Sequence, residues 1–253
     1  MRDGVHAGPE PPLPPKRLRF MGESDQSFLS VGDQLVESLV DHVGLGEGAR
    51  VLDIGCGYGR LAHALKRHGF SGSYLGVDVL RRHVRWCQKR LGDSRFEFRH
   101  IDIQNDRYNP KGELAVTDLD LGDERFDLIT AFSLFTHMWT EDAEAYLRLI
   151  ARSLTDEGRA AATFFLLDDE WKQLANANRV AVRMPFEHDS ACRYESRDAP
   201  LHRVGYDGRW LLFTAIDAGL VPVSGPVYGT WSGRPMDPAA HPGYQDLVVF
   251  QRR

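Results

Sequence analysis

Three features of this chain have residue types and spacings that could act together on a ligand: a glycine triplet, two acids and a histidine. The triplet is Gly55-Cys56-Gly57-Tyr58-Gly59. Glycine lets a backbone turn tightly and approach a ligand closely. Where such a turn opens a helix, free N–H groups and a partial positive charge face the ligand. A carboxylate at Asp78 can accept hydrogen bonds from both hydroxyls of a ribose, and one at Asp102 can meet the exocyclic amine of an adenine. His137, in Ser133-Leu134-Phe135-Thr136-His137-Met138-Trp139, is of the type that exchanges protons near neutral pH. Each feature also has a plainer reading. The triplet can be a tight turn, and the acids can be turn or cap residues. The histidine can pack under Met138 and Trp139 or cap the next helix.

The elements around these residues decide how they are presented. Phe20 to Val43 is helical in pattern, with Phe28, Val31, Leu35, Leu39 and Val40 at spacings of three and four; Gly44 and Gly46 end it. Arg50 to Ile54 is a short apolar strand leading into the triplet. Arg60 to His68 reads as a helix closed by Gly69. Tyr74 to Asp78 is a second strand and Arg81 to Leu91 a helix stopped by Gly92. Phe96 to Ile101 is a third strand, followed by Asp102. Phe126 to Phe132 is a fourth, followed by the histidine segment. Thr140 is placed to cap a helix from Glu141 to Leu154, whose first acids suit its positive end. Gly158 to Leu167 is a fifth strand. This alternation predicts an α/β, Rossmann-like fold: a mostly parallel sheet with helices on both faces, binding ligands at the carboxyl ends of its strands.

From 170 to 208 the pattern has no clean period, although it carries Trp171, Met184, Pro185, Phe186, His188 and Tyr194. It reads either as an acceptor-binding cap or as a surface excursion. Beyond it lie a helix from Arg209 to Ala218, an extended Leu220 to Val223, and a strand from Asp246 to Phe250.

At 253 residues the chain suits one α/β domain with insertions, spanning 16–253, behind a Pro- and Gly-rich tail at 1–15 expected to be disordered or extended. The net charge of −5 argues against a nucleic-acid footprint. Lys16–Arg19 could touch an anionic partner, whereas Arg81–Arg90 has the spacing of a solvated helix face. Three unframed cysteines, Cys56, Cys87 and Cys192, imply reduced thiols and a cytoplasmic address. No apolar run is long enough to span a membrane, and no secretory signal is read. Asp168, Asp169 and Glu170 offer oxygen ligands that would suit Mg²⁺, but they read better as the acidic start of a helix, so no metal ligand is assigned.

The triplet's spacing separates nucleoside classes. Nicotinamide enzymes use G-x-G-x-x-G, with glycine at the sixth position; here that position is Arg60, and no pyrophosphate site is implied. The run Val51-Leu52-Asp53-Ile54-Gly55-Cys56-Gly57-Tyr58-Gly59-Arg60 resembles the first motif of class I S-adenosylmethionine (SAM)-dependent methyltransferases. The resemblance extends over about residues 20 to 167 and implies a seven-stranded sheet with a reversed last strand. It implies that Gly55 and Gly57 border the methionine part of SAM, Asp78 the ribose, and Asp102 and Ile103 the adenine. Phe132 and Ser133 match the segment beside the amino group and the transferred methyl. Asp53, Cys56 and Val79 belong to the same implied cofactor set, with Cys56 a usual occupant of its slot rather than a nucleophile.

Methyl transfer from a sulfonium is an in-line displacement, in which holding the acceptor close and aligned supplies much of the rate. A hydroxyl acceptor must also lose a proton, and His137 is the expected general base. The segment lacks the Asn/Asp-Pro-Pro-Tyr motif of amino-group methyltransferases on adenine or glutamine. Tyr228-Gly229-Thr230-Trp231-Ser232-Gly233-Arg234 and Tyr244-Gln245-Asp246 hold aromatics that could stack on a sugar or simply fill a core. With Phe135-Thr136-His137-Met138, this tail resembles methyltransferases of actinobacterial polysaccharide and glycolipid pathways, those that cap the reducing-end hydroxyl of methylated mannosides among them. The expected acceptor is therefore a hydroxyl of a sugar or short oligosaccharide. The alternatives are a secondary-metabolite hydroxyl or carboxylate, and a SAM-binding protein without turnover. Oligomeric state stays open.

Overall fold

The computed structural model describes residues 10–20, 23–235 and 243–253. The chain divides into two compact units, Met1–Ile101 and Asp102–Arg253.

In the first unit, helix α1 (Asp25–Ser38) starts at Ser24, whose hydroxyl accepts from the Ser27 N–H. It buries Phe28, Gly32 and Val36, the spacing of one helix face. A π-helical turn at Leu39–Val43 follows, ended by Gly44 at φ 80°. Strands β1 (Arg50–Ile54), β2 (Ser73–Asp78) and β3 (Phe96–His100) are parallel and pair in that order. Helices α2 (Arg60–Arg67) and α3 (Arg81–Arg90) connect them. Strand β1 is buried at four of its five positions and β2 at five of six, as expected for strands covered on both faces.

In the second unit, β4 (Phe126–Ala131) runs parallel to β5 (Leu154–Phe164). Strand β5 starts four residues before the expected Gly158, because the backbone extends as soon as α4 (Thr140–Ser153) ends. Thr140 does not cap α4. Trp139 is the N-cap residue, and the Thr140 hydroxyl donates to Asp189 Oδ2 at 2.6 Å. Two helices are capped by acids: α5 (Asp169–Asn176) by Asp168, and α6 (Gly208–Asp217) by Asp207.

The segment 170–208, patternless in sequence, supplies three strands of a small sheet ordered β6-β9-β8-β7, whose first strand lies at the end of the expected fifth strand. Its strands are β6 (Leu166–Leu167), β7 (Phe186–Glu187), β8 (Cys192–Tyr194) and β9 (Val204–Asp207). None exceeds four residues, too short to display a period of two. Strand β10 (Leu220–Pro222) pairs antiparallel with β11 (Asp246–Arg252), which pairs antiparallel with β5. The main sheet is seven-stranded and mostly parallel, with a reversed β11.

Of the expected tail, residues 1–9 lie outside the described residues. Residues 10–15 carry no regular secondary structure but are held: the Pro11 carbonyl accepts from His63 Nε2 at 2.9 Å and the Pro14 carbonyl from Arg19 Nε at 2.8 Å. Proline gives up its N–H but keeps a strong acceptor, and Arg19 and His63 are buried donors in need of one. Among the described residues, no helix is long and apolar enough to cross a membrane.

Candidate active site

In the first unit the glycine triplet sits at the carboxyl end of β1. The Gly55 and Cys56 N–H groups both donate to the Val77 carbonyl, at 2.8 and 3.1 Å, tying the loop to the end of β2. Gly55, Gly57 and Gly59 have φ of 80°, 54° and 80°, the region only glycine enters without strain. At Gly57 an added Cβ would meet nothing within 4 Å. That stretch of backbone is open, as close approach of a ligand requires.

Asp78 holds the loop from the end of β2. Its Oδ2 accepts from the Gly57 N–H and its Oδ1 from the Leu80 N–H, each at 2.7 Å. Burial pushes its carboxyl above the usual range, while the two N–H groups and the neighbouring His83 and His100 pull it back. Val79 turns its carbonyl to His100 Nε2 at 3.1 Å. Asp53 lies beneath the loop and accepts from the Tyr74 hydroxyl at 2.5 Å, so it braces β1 and β2. Burial, with the charge of Asp78 and the neighbouring Cys87, pushes the Cys56 thiol well up; it stays protonated and is no nucleophile.

A further group gave no sequence signal. The Tyr58 hydroxyl donates to Glu23 Oε2 at 2.9 Å, and Arg60 bonds both Glu23 oxygens at 2.7 and 2.8 Å. The Phe20 ring packs against Tyr58 and His83. The segment before α1 is thereby fastened to the glycine loop.

In the second unit, Asp102 Oδ1 accepts from Asn109 Nδ2 at 2.9 Å, and the same amide donates to the Ile103 carbonyl at 3.0 Å. Ile103 is buried, Phe132 half-buried and Ser133 exposed at the end of β4. His137 ends a 3₁₀ turn, Phe135–His137. Its Nδ1 lies 3.0 Å from the Leu201 carbonyl. A carbonyl only accepts, so Nδ1 carries the hydrogen and Nε2 keeps its lone pair. The Tyr108 ring meets the imidazole edge to face, 5.6 Å between centroids. The Tyr206 hydroxyl lies 2.8 Å from both the Phe135 and Met138 carbonyls and pins the turn. Burial lowers the His137 pKa to about 4; the Leu201 and His202 carbonyls oppose this, and the charges of Arg107 and His202 add to it. His137 does not cap α4, whose N-cap is Trp139 with no side-chain bond, and the Trp139 ring stacks on His188 at 4.0 Å.

The acidic run 168–170 is engaged elsewhere. Asp168 caps α5 and pairs with Arg234, which also takes Glu170 at 3.0 Å. Among the described residues no group of three or more His, Cys, Asp or Glu could hold a metal ion. The aromatic tail divides. Trp231 is fully buried and donates through Nε1 to Asp246 Oδ2 at 2.8 Å, so it fills a core rather than facing a sugar. Tyr228 and Tyr244 stay exposed, with the Arg234 guanidinium 3.9 Å from the Tyr228 ring centroid.

Residues 51–158 match the family model of a methyltransferase domain, Methyltransf_25. Juvenile hormone acid O-methyltransferase of Bombyx mori is 33 % identical over 119 residues, covering 46 % of this chain and 38 % of that protein. The chain therefore spans well under half the length of that relative. In fold the chain resembles the PH0226 protein of Pyrococcus horikoshii OT3, with TM-score 0.61 and 16 % identity over 91 % of this chain and 93 % of that one. It also resembles magnesium protoporphyrin IX methyltransferase of Synechocystis PCC 6803, solved with bound S-adenosylhomocysteine, with TM-score 0.56 and 16 % identity over 94 % and 92 %.

The fold is that of the class I methyltransferases. The stretch that matches the methyltransferase-domain model, residues 51–158, contains the glycine loop and Asp78.

Proposed function

We propose that the protein is a SAM-dependent O-methyltransferase that methylates a hydroxyl, with His137 as general base. The observation that carries this reading is the tautomer of His137. With Nδ1–H committed to the Leu201 carbonyl, Nε2 is an acceptor, and its natural partner is an O–H. The imidazole is neutral above about pH 4, so its lone pair is free at physiological pH, while the low pKa makes it a weaker proton acceptor than an ordinary histidine. Asp53, Gly55, Cys56, Gly57, Asp78, Val79, Asp102, Ile103, Phe132 and Ser133 are the proposed cofactor set, with Asp53 acting from beneath the loop. SAM supplies an electrophilic methyl on a sulfonium. The donor set fits it: open backbone at Gly57 and a carboxylate at Asp78 that retains lone pairs for ribose hydroxyls.

The proposed acceptor is a small molecule, a sugar or short oligosaccharide, such as the 1-hydroxyl of a methylated mannoside. The sequence resemblance supports this, as do the exposed Tyr228 and Tyr244. The segment at about 170–208 is the proposed acceptor cap. All three cysteines are free, which supports a reducing compartment, the cytoplasm. A carboxylate acceptor is the second reading, favoured by the acid O-methyltransferase relative. A carboxylate is already ionised and needs no base.

One experiment separates these readings. His137→Ala and wild type are offered SAM with sugars, phenols and carboxylic acids, and S-adenosylhomocysteine is quantified. The hydroxyl reading expects a loss of ~10²–10⁴-fold in turnover with cofactor affinity kept. Near-normal turnover on a hydroxyl removes the base assignment. Retained methylation of an acid supports the carboxylate reading. Tight cofactor binding with no product from any acceptor supports a SAM-binding protein without turnover.

A further inference from the structure

The turn after β4 is held by a side chain 112 residues further along the chain. Ser133 has φ 54°, one of two non-glycine residues with positive φ among those described. A serine is strained there, and three bonds hold it. Its N–H donates to Thr163 Oγ1 at 2.7 Å. Thr163 therefore sends its own hydroxyl hydrogen onward, to Gln245 Oε1 at 2.6 Å. The Ser133 hydroxyl donates to the same oxygen at 3.0 Å. The other end of the amide, Gln245 Nε2, lies 3.5 Å from Thr136 Oγ1, at the outer limit of a hydrogen bond. One amide thus ties Ser133 and Thr136, at the two ends of a turn whose next residue is His137.

The amide is itself well anchored. The following residue, Asp246, is fully buried and accepts from the Leu166 and Gly229 N–H groups and Trp231 Nε1, each at 2.8 Å.

We propose that Gln245 is a positioning residue: it sets the backbone from Ser133 to His137, presenting Ser133 to the amino-acid end of the cofactor and His137 to the acceptor. This rests on the function proposed above. Thr163 is the second member of the device, because its hydroxyl relays the Ser133 N–H to the same amide.

The test uses the full chain, S-adenosylhomocysteine as ligand, calorimetry for affinity, and amide hydrogen exchange across 132–138. Gln245→Leu is expected to weaken binding about tenfold, equivalent to ~1.4 kcal/mol, and to speed exchange in the turn. Thr163→Val is expected to do the same by removing the acceptor of the Ser133 N–H. Gln245→Glu, which keeps the oxygens that receive both hydroxyls, is expected to recover most of the affinity. Ser133→Gly combined with Gln245→Leu is expected to recover part of it, because glycine adopts this φ unaided. A general loss of stability would lower the melting temperature without these two rescues. Folded Gln245→Leu and Thr163→Val proteins with wild-type affinity and exchange overturn the proposal. If Gln245→Leu does not fold, Thr163→Val and Gln245→Glu decide it. Failure of the wild type to bind the ligand counts against the proposed function, while the exchange comparison still reports on Gln245.

Discussion

The Asp78 carboxylate holds the Gly57 N–H at 2.7 Å, linking the end of β2 to an open point of the glycine loop. Its other oxygen holds Leu80 at the entry to α3. One acid therefore fixes the loop and still has lone pairs for two hydroxyls. In Asp78→Asn an NH₂ replaces one acceptor, so one of the two backbone N–H groups loses its partner, at a cost of about 1–3 kcal/mol. We expect at least a tenfold loss of S-adenosylhomocysteine affinity with a lowered melting temperature. Calorimetry and thermal unfolding check both, and unaltered affinity would remove Asp78 from the cofactor site.

Gly59 tests the loop from its other end. Its φ is 80°, and a Cβ would come within 2.6 Å of Leu91 Cδ1 and 2.9 Å of Cys87 Sγ. Gly59→Ala combines left-handed strain, about 1–2 kcal/mol, with overpacking that typically adds about 1–3 kcal/mol. Urea unfolding should show a destabilisation of about 2–5 kcal/mol. Gly57→Ala carries the strain without the clash and should be milder.

His137 makes two pH predictions. With its pKa near 4, turnover on a hydroxyl should stay flat from about pH 5 to 8 and fall only towards pH 4; an unperturbed histidine would begin to fail near pH 6.5. Stability follows the same shift. Between about pH 4 and 6.5 the unfolded chain binds the proton and the folded one does not, so stability from this group rises with pH, by at most about 1.4 kcal/mol per pH unit. His63 and His83, also lowered by burial, act in the same direction. In His137→Gln the rise should flatten, measured by urea unfolding at pH 4.5, 5.5 and 6.5.

Asp246 works with the opposite sign. Burial raises its pKa to about 6, against the pull of the Leu166, Gly229 and Trp231 N–H groups and Arg234. From about pH 4 to 6 the folded chain holds this proton more tightly than the unfolded chain, so stability from this site falls as pH rises. Removing the titration in Asp246→Asn should make the overall rise of stability across that window steeper than in wild type. An unchanged slope would mean that Asp246 stays ionised throughout.

Much of the frame is legible in the chain because its signals are local. The strand before the loop, the glycines that need positive φ and the strand-end position of Asp78 are each encoded within a few residues, by burial period and backbone sterics. Local patterns misplaced the cap of α4, because Thr140 found a partner in Asp189, 49 residues away. They also missed the sheet of 166–207, whose strands of two to four residues carry no period.

Sequence alone determined the α/β frame, the loop and the residue types offered to a nucleoside. Tertiary structure decided what those residues do next. Leu201, 64 residues from His137, sets its tautomer. Arg234, 66 residues from Asp168, takes the acids that resembled a metal site. Gln245 fixes the strained Ser133, and Asp246 draws Trp231 into the core. The physical reason is common to all four. A hydrogen bond or ion pair forms wherever packing brings donor and acceptor together, and a pattern of a few residues does not encode which distant segment packing will bring.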